Sequence, residues 1–238
     1  TFKANEGFIP LHEPCFTGSE KKYLNECIDS TFVSYLGKFV PQFEKMICDY
    51  TKSKYAISIV NGTAAIHVTL KALGVRPTDE VLTQALSFVA TPNAISYCQA
   101  VPIFLDSDRQ SLGMCPVDLE KFLETQTEVK DKKCYNKSTG KRISACIPMH
   151  VFGHSVDIEK IVSICESYYI PVLEDAAESL GSFYKGSHLG TFGKAAVFSF
   201  NGNKTITAGG GGVVITNDEN ISKSILHLST TAKVPHKW

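Results

Sequence analysis

Ala196-Val-Phe-Ser199-Phe-Asn-Gly-Asn-Lys204-Thr-Ile-Thr-Ala-Gly-Gly-Gly-Gly212-Val-Val-Ile215 sets two short apolar runs around a polar loop that carries one lysine and ends in four glycines. The stretch reads as strand, loop, strand. Both runs are continuous rather than alternating, as in strands buried on two faces. The glycines precede a strand, not a helix, so they predict a tight backbone turn rather than a dinucleotide-binding loop.

The same rhythm extends outward in both directions. Further strands are expected at Ala56–Val60, Glu80–Thr83, Pro102–Asp106, Ala145–Met149 and Pro171–Glu174. Amphipathic stretches between and after them predict helices over Ala64–Leu73, Ala90–Cys98, Val117–Leu123, Asp157–Tyr168 and Glu219–Leu228. Strands alternating with helices define an α/β fold, a mostly parallel central sheet with helices on both faces. A chain of 238 residues can form one such unit. Residues 1–40, with Pro10, Pro14 and a polar helix-like segment from Gly18 to Asp29, are read as an arm on the edge of a large domain spanning 41–238. The lysine-rich segment Thr125–Arg142 is read as a solvated surface insertion.

Composition narrows the function. Lys plus Arg and Asp plus Glu number 24 each, so no global field favours nucleic acid or an anionic membrane. No apolar run is long enough to span a bilayer and no secretory signal is recognisable, which places the expected protein in the cytoplasm. The eight cysteines, at 15, 27, 48, 98, 115, 134, 146 and 165, form no Cys-x-x-Cys pair, so reduced thiols and no metal site are expected.

Three separated features converge on one small-molecule site. Asn61-Gly62-Thr63-Ala64-Ala65 follows a predicted strand and opens a predicted helix, where backbone N–H groups and the Thr63 hydroxyl favour an anion; by itself the run is also an ordinary turn and cap. Asp175 closes Pro171-Val-Leu-Glu-Asp175 at the carboxyl end of a buried strand, the position where open α/β sheets bind ligands, although it can also cap the segment that follows. Lys204 follows in the loop after Ser199. A lysine that condenses with an aldehyde must be neutral some of the time, which a free amine with a pKa of about 10.4 rarely is, so it needs a dry or positively biased pocket. An anion cradle, a strand-end acid and a loop lysine in this order read as a pyridoxal 5'-phosphate site. Phe88, just after a strand, has a ring face suited to stacking on a pyridine, and Ser199 is placed as a second phosphate ligand. Asp175 would pair with the protonated ring nitrogen.

With these residues in view, the chain resembles the DegT/DnrJ-type nucleotide-sugar aminotransferases, which are fold type I pyridoxal phosphate enzymes. The resemblance rests on Asn61-Gly-Thr-Ala-Ala65, Phe88 with Ala90-Thr91, His150-Val-Phe-Gly153 with Asp157, Glu174-Asp175-Ala-Ala-Glu178-Ser-Leu-Gly181, and Ser199-Phe-Asn-Gly-Asn-Lys204 with its glycines. Glu13-Pro14 and Phe32-Val-Ser-Tyr-Leu-Gly37 make it most similar to the LegC-like branch. The resemblance implies Lys204 as the covalent anchor of the cofactor and its proton shuttle, with Asp175 as the second catalytic residue on the pyridine nitrogen. It implies Gly62, Thr63, Ala64, Phe88, Glu178, Ser199 and Asn201 as further cofactor contacts, with Glu178 near the phenolic oxygen. His150 is read as a pocket wall or a hydrogen-bonded structural histidine.

The implied reaction moves an amino group, from glutamate as expected donor, to a 4-keto-6-deoxy nucleotide sugar. A homodimer is expected. Relatives of this kind continue through a smaller carboxyl-terminal domain, whereas this sequence begins at Thr1 rather than at a methionine and ends at Trp238; a piece of a longer enzyme is therefore expected. The competing expectation is a noncatalytic domain that binds cofactor or sugar without turnover.

Overall fold

The computed structural model describes residues 12–234; Pro10 of the expected arm and the 235–238 end lie outside them. Its strands are β1 (Tyr55–Ile59), β2 (Glu80–Gln84), β3 (Val101–Leu105), β4 (Thr127–Lys130), β5 (Lys133–Asn136), β6 (Arg142–Ile147), β7 (Leu173–Asp175), β8 (Phe183–Tyr184), β9 (Ser187–His188), β10 (Ala195–Ser199) and β11 (Gly212–Thr216). The helices are α1 (Glu20–Asp29), α2 (Phe39–Thr51), α3 (Gly62–Ala72), α4 (Ala90–Tyr97), α5 (Pro116–Gln126), α6 (Ile158–Ser167) and α7 (Glu219–Ser229).

Two sheets, in the orders β1-β11-β10-β7 and β3-β2-β6-β5-β4, meet where β7 and β6 run side by side through the parallel bridges Cys146–Val172 and Met149–Asp175. Along this combined sheet β10–β7, β2–β3 and β2–β6 are parallel, and β11 is reversed between β1 and β10. The mostly parallel α/β sheet is therefore as expected.

Successive residues of a strand point to opposite faces, and both faces here are covered. Ala195 and Val197 of β10, Val214 of β11 and Val81 of β2 pack with Ala65, Ile66 and Leu70 of α3, Ile95 of α4 and Ile225 of α7. Their neighbours Ala196, Phe198, Val213 and Ile215 face Ile47 of α2, while Leu82 and Cys146 face Leu119 and Leu123 of α5 and Ile161 of α6. Each fully buried Leu or Ile contributes about 1.5–3 kcal/mol, which is why these runs carry no polar alternation. All eight cysteines are free thiols, and Cys98, Cys134, Cys146 and Cys165 are buried as small apolar groups.

The helix starts follow local chemistry. Asn61 is extended (φ −166°), and its Oδ1 accepts from the Ala64 N–H at 2.7 Å to begin α3. Asp218 Oδ1 accepts from the N–H groups of Asn220 and Ile221 to begin α7.

The expected insertion over Thr125–Arg142 is instead the end of α5 and the β4–β5 hairpin, paired to β6. It is anchored because Asn136 Nδ2 and Thr139 Oγ1 donate to the buried Glu80 carboxylate at 2.9 and 2.8 Å, leaving Lys130, Lys132 and Lys133 in solvent. Helix α2 crosses the expected arm boundary at residue 40, whereas α1 buries none of its residues.

Candidate active site at the carboxyl ends of the strands

Asp175 is the last residue of β7 and is 3% exposed. Its backbone is fixed from both sides: its N–H donates to Pro148 O at 2.9 Å, and its carbonyl accepts from the His150 N–H at 3.1 Å. Thr91, in the first turn of α4, donates its hydroxyl to Asp175 Oδ2 at 2.5 Å, and the Ala177 N–H reaches Oδ1 at 3.2 Å. Burial pushes the carboxyl above the usual carboxylate range; the Thr91 and Ala177 donors, then the charges of Lys204 and His150, pull the other way without prevailing. Asp175 is thus a dry acid whose hydrogen bonds do not offset its desolvation.

Lys204 belongs to the same centre. Its side chain is 12% exposed, its Nζ donates to Glu178 Oε1 at 2.8 Å, and that Nζ lies 5.6 Å from the centroid of the Phe88 ring. The lysine loop is docked twice on one residue, because Thr205 Oγ1 donates to the Glu178 carbonyl at 3.3 Å. Phe88 itself is 64% exposed, so its ring face is open beside the amine.

The anion cradle is also built. A Cβ added to Gly62 would come within 3.1 Å of Ser199 Cβ and 3.3 Å of its Oγ, so the strand end carrying Ser199 abuts the start of α3. Gly212 closes the cradle from behind: a Cβ there would meet Asn61 C at 2.7 Å and Gly62 N at 2.9 Å. The glycine run thus serves a tight turn, with Gly209 and Gly211 at φ +79° and +120°, and a close backbone approach.

The structure brings together Gly62 with Ser199, and Lys204 with Glu178, Phe88 and Asp175. Thr63 and Ala64 occupy the first turn of α3, but the Ala64 N–H is already bonded to Asn61 Oδ1. Asn201 turns outward, its Nδ2 donating to Asn203 Oδ1 at 3.0 Å. His150 is a buried structural histidine, with Nε2 3.0 Å from Glu174 Oε2.

Two contributors were not foreseen. Thr91 was visible only as part of a run, with no signal for its bond to Asp175. Gln84 Oε1 accepts from the N–H groups of Met114 and Met149 at 2.9 and 3.0 Å, tying together the loops that follow β3 and β6.

A lysine amine near a buried acid, an exposed aromatic ring and a helix start abutting a serine are groups suited to a flat ligand with an electrophilic carbon, a basic ring atom and an anionic tail. Residues 14–238 match the DegT/DnrJ/EryC1/StrS aminotransferase family, and the chain belongs to that family. It is 40% identical over 230 residues to a GDP-perosamine synthase of Escherichia coli O157:H7, covering 97% of this chain and 59% of that protein. It is also 40% identical over 227 residues to the putative pyridoxal phosphate-dependent aminotransferase EpsN of Bacillus subtilis strain 168, covering 95% and 56%. Among solved structures, NtdA from Bacillus subtilis with bound cofactor PMP superposes with a TM-score of 0.74 at 29% identity, covering 90% of this chain and 45% of that one. The chain spans between half and three-fifths of the length of the curated relatives it matches.

Proposed function

We propose that this chain is the cofactor-binding part of a pyridoxal phosphate-dependent aminotransferase that moves an amino group from glutamate to a 4-keto-6-deoxy nucleotide sugar. The observation that carries the reading is that Phe88 from the loop after β2, Asp175 from the end of β7 and Lys204 from the loop after β10 lie together at the carboxyl edge of the sheet. The relatives named for perosamine synthesis and for pyridoxal phosphate support the substrate class and the cofactor.

The residues present fit that cofactor. Lys204 Nζ would hold it covalently, Asp175 would face its ring nitrogen, Phe88 would cover one ring face, and Gly62, Thr63 and Ser199 would hold its phosphate. Once bound, pyridoxal phosphate supplies an aldehyde and an electron-withdrawing ring. The chain supplies the rest. Asp175, whose carboxyl burial pushes up, would receive a compensating charge from a protonated ring nitrogen. Lys204 Nζ would carry protons within the site, and Glu178 Oε1, accepting from it at 2.8 Å, fixes where the amine sits. Thr91 holds one Asp175 carboxylate oxygen from the first turn of α4.

A second copy of the chain is the proposed partner. Apolar grooves of about 850 and 900 Å³ flank α2; the second is lined by Phe43, Ile47 and Phe200, and by Ile206, Gly210 and Gly211 of the loop that follows Lys204. A cytoplasmic setting is proposed too; among the described residues no helix is long and apolar enough to cross a membrane.

A single-turnover assay tests the reading. Pyridoxal phosphate-loaded chain mixed with glutamate should yield pyridoxamine phosphate and a keto acid, with a rate per chain that rises with protein concentration if two copies complete the site. Cofactor binding with no conversion at any concentration would favour the noncatalytic alternative.

A further inference from the structure

The candidate site straddles a seam. Thr91 and Phe88 stand over the β3-β2-β6 half of the sheet, and Asp175, Ser199 and Lys204 over the β1-β11-β10-β7 half. At the seam β7 is only three residues long and meets β6 through isolated bridges. Register there must be held by something besides a ladder.

Glu174, one residue before Asp175, is fully buried and accepts from four donors. Its Oε1 takes the N–H groups of Phe192 and Gly193 at 2.8 and 2.7 Å. Its Oε2 takes the Gly190 N–H at 2.9 Å and the ring of His150 at 3.0 Å. The ring's other nitrogen, Nδ1, faces the Val156 N–H at 3.4 Å, which makes Nε2–H the donating tautomer toward Glu174. Segment 190–193 leads directly into β10, and His150 follows β6. His150 also donates its backbone N–H to the Asp175 carbonyl. One carboxylate therefore binds the strands on both sides of β7, and one histidine binds both Glu174 and Asp175.

We propose that Glu174 is a positioning residue: with His150 it clamps the strand end bearing Asp175 to both flanking segments, and so keeps Asp175 under Thr91 and out of water. The proposal rests on Asp175 as the acid that meets the cofactor. A buried carboxylate with four donors is costly to disturb, because each N–H left without an acceptor has no water to turn to.

Glu174→Gln separates clamping from mere stability. The amide oxygen can still accept from Phe192 and Gly193, but the amide NH2 faces the Gly190 N–H, donor against donor. In the folded variant, the Gly190 amide should exchange about tenfold faster, the ratio expected when one buried N–H loses its acceptor, with a smaller increase at Phe192 and Gly193 as the segment loosens. The Asp175 side-chain carbon, followed by NMR in cofactor-free protein, should titrate closer to the ordinary carboxylate range than in wild type. Pyridoxal phosphate should bind about tenfold more weakly while still reacting with Lys204. Should Glu174→Gln not fold, His150→Gln, which leaves three of the four donors, should show the same changes in smaller measure. An Asp175 titration and a 190–193 exchange unchanged from wild type in either folded variant would overturn the clamp. Failure of wild-type chain to bind pyridoxal phosphate would instead remove the functional reading, and the Asp175 titration would still decide the clamp.

Discussion

Asp175 shows how a single residue trades stability for a ligand. Its native pKa is raised by burial, so the folded chain binds its proton more readily than the unfolded chain does. The sign follows from linkage: where the native state holds more protons, stability falls as pH rises through the window from the unfolded to the native pKa. Thr91 and Ala177 face the carboxyl directly, and Lys204 and His150 are the charges acting on it. Cofactor-free Asp175→Asn should therefore melt higher than wild type at neutral pH, with the advantage vanishing in acid below the unfolded carboxyl's range; parallel thermal melts across that range check it. The same variant should lose roughly 10²–10³ in glutamate conversion, the size seen when one transition-state charge partner is removed. Lys204, Asp175 and Phe88 were legible from residue type and position after a strand, and Glu178 only through the resemblance. Thr91 and Gln84 were not, because an ordinary threonine and glutamine acquire their roles only through tertiary contact.

At the scale of elements, the glycine turn before β11 is the informative one. It was readable as a turn, but its second duty, letting β11 approach the start of α3, arises from packing between segments some 150 residues apart in sequence. Gly212→Ala would drive a Cβ into Asn61 and Gly62 backbone, which cannot rotate aside as a side chain can. A loss of about 1–3 kcal/mol, the usual penalty of overpacking, is expected in denaturant unfolding, together with weaker phosphate binding at the cradle. The central strands were visible because burial on two faces removes their polar alternation. Helix α2 was not, since only Ile47 and Thr51 of its residues are buried and Pro41 lies within its first turn, where a helix tolerates proline. The β4–β5 hairpin was hidden for a different reason. Its lysines look like a solvated loop, and only the buried Glu80, Asn136 and Thr139 contacts hold it to the sheet.

Over the whole molecule, residues from positions 62 to 204 meet at one edge of a mostly parallel sheet, on both sides of the β6–β7 seam. This gathering follows from topology: every parallel strand delivers its carboxyl end to the same side, so loops far apart in sequence become neighbours. The sequence order of cradle, aromatic, acid and lysine was enough to anticipate it, whereas the clamp across the seam required coordinates. The central claim is that one amine among many is set apart by its surroundings. Borohydride reduction of chain incubated with pyridoxal phosphate, followed by peptide mapping, tests this most directly. A pyridoxyl mass increment confined to Lys204, and lost in Lys204→Ala, is the predicted result; label at another lysine, or spread evenly over the surface lysines, would contradict it.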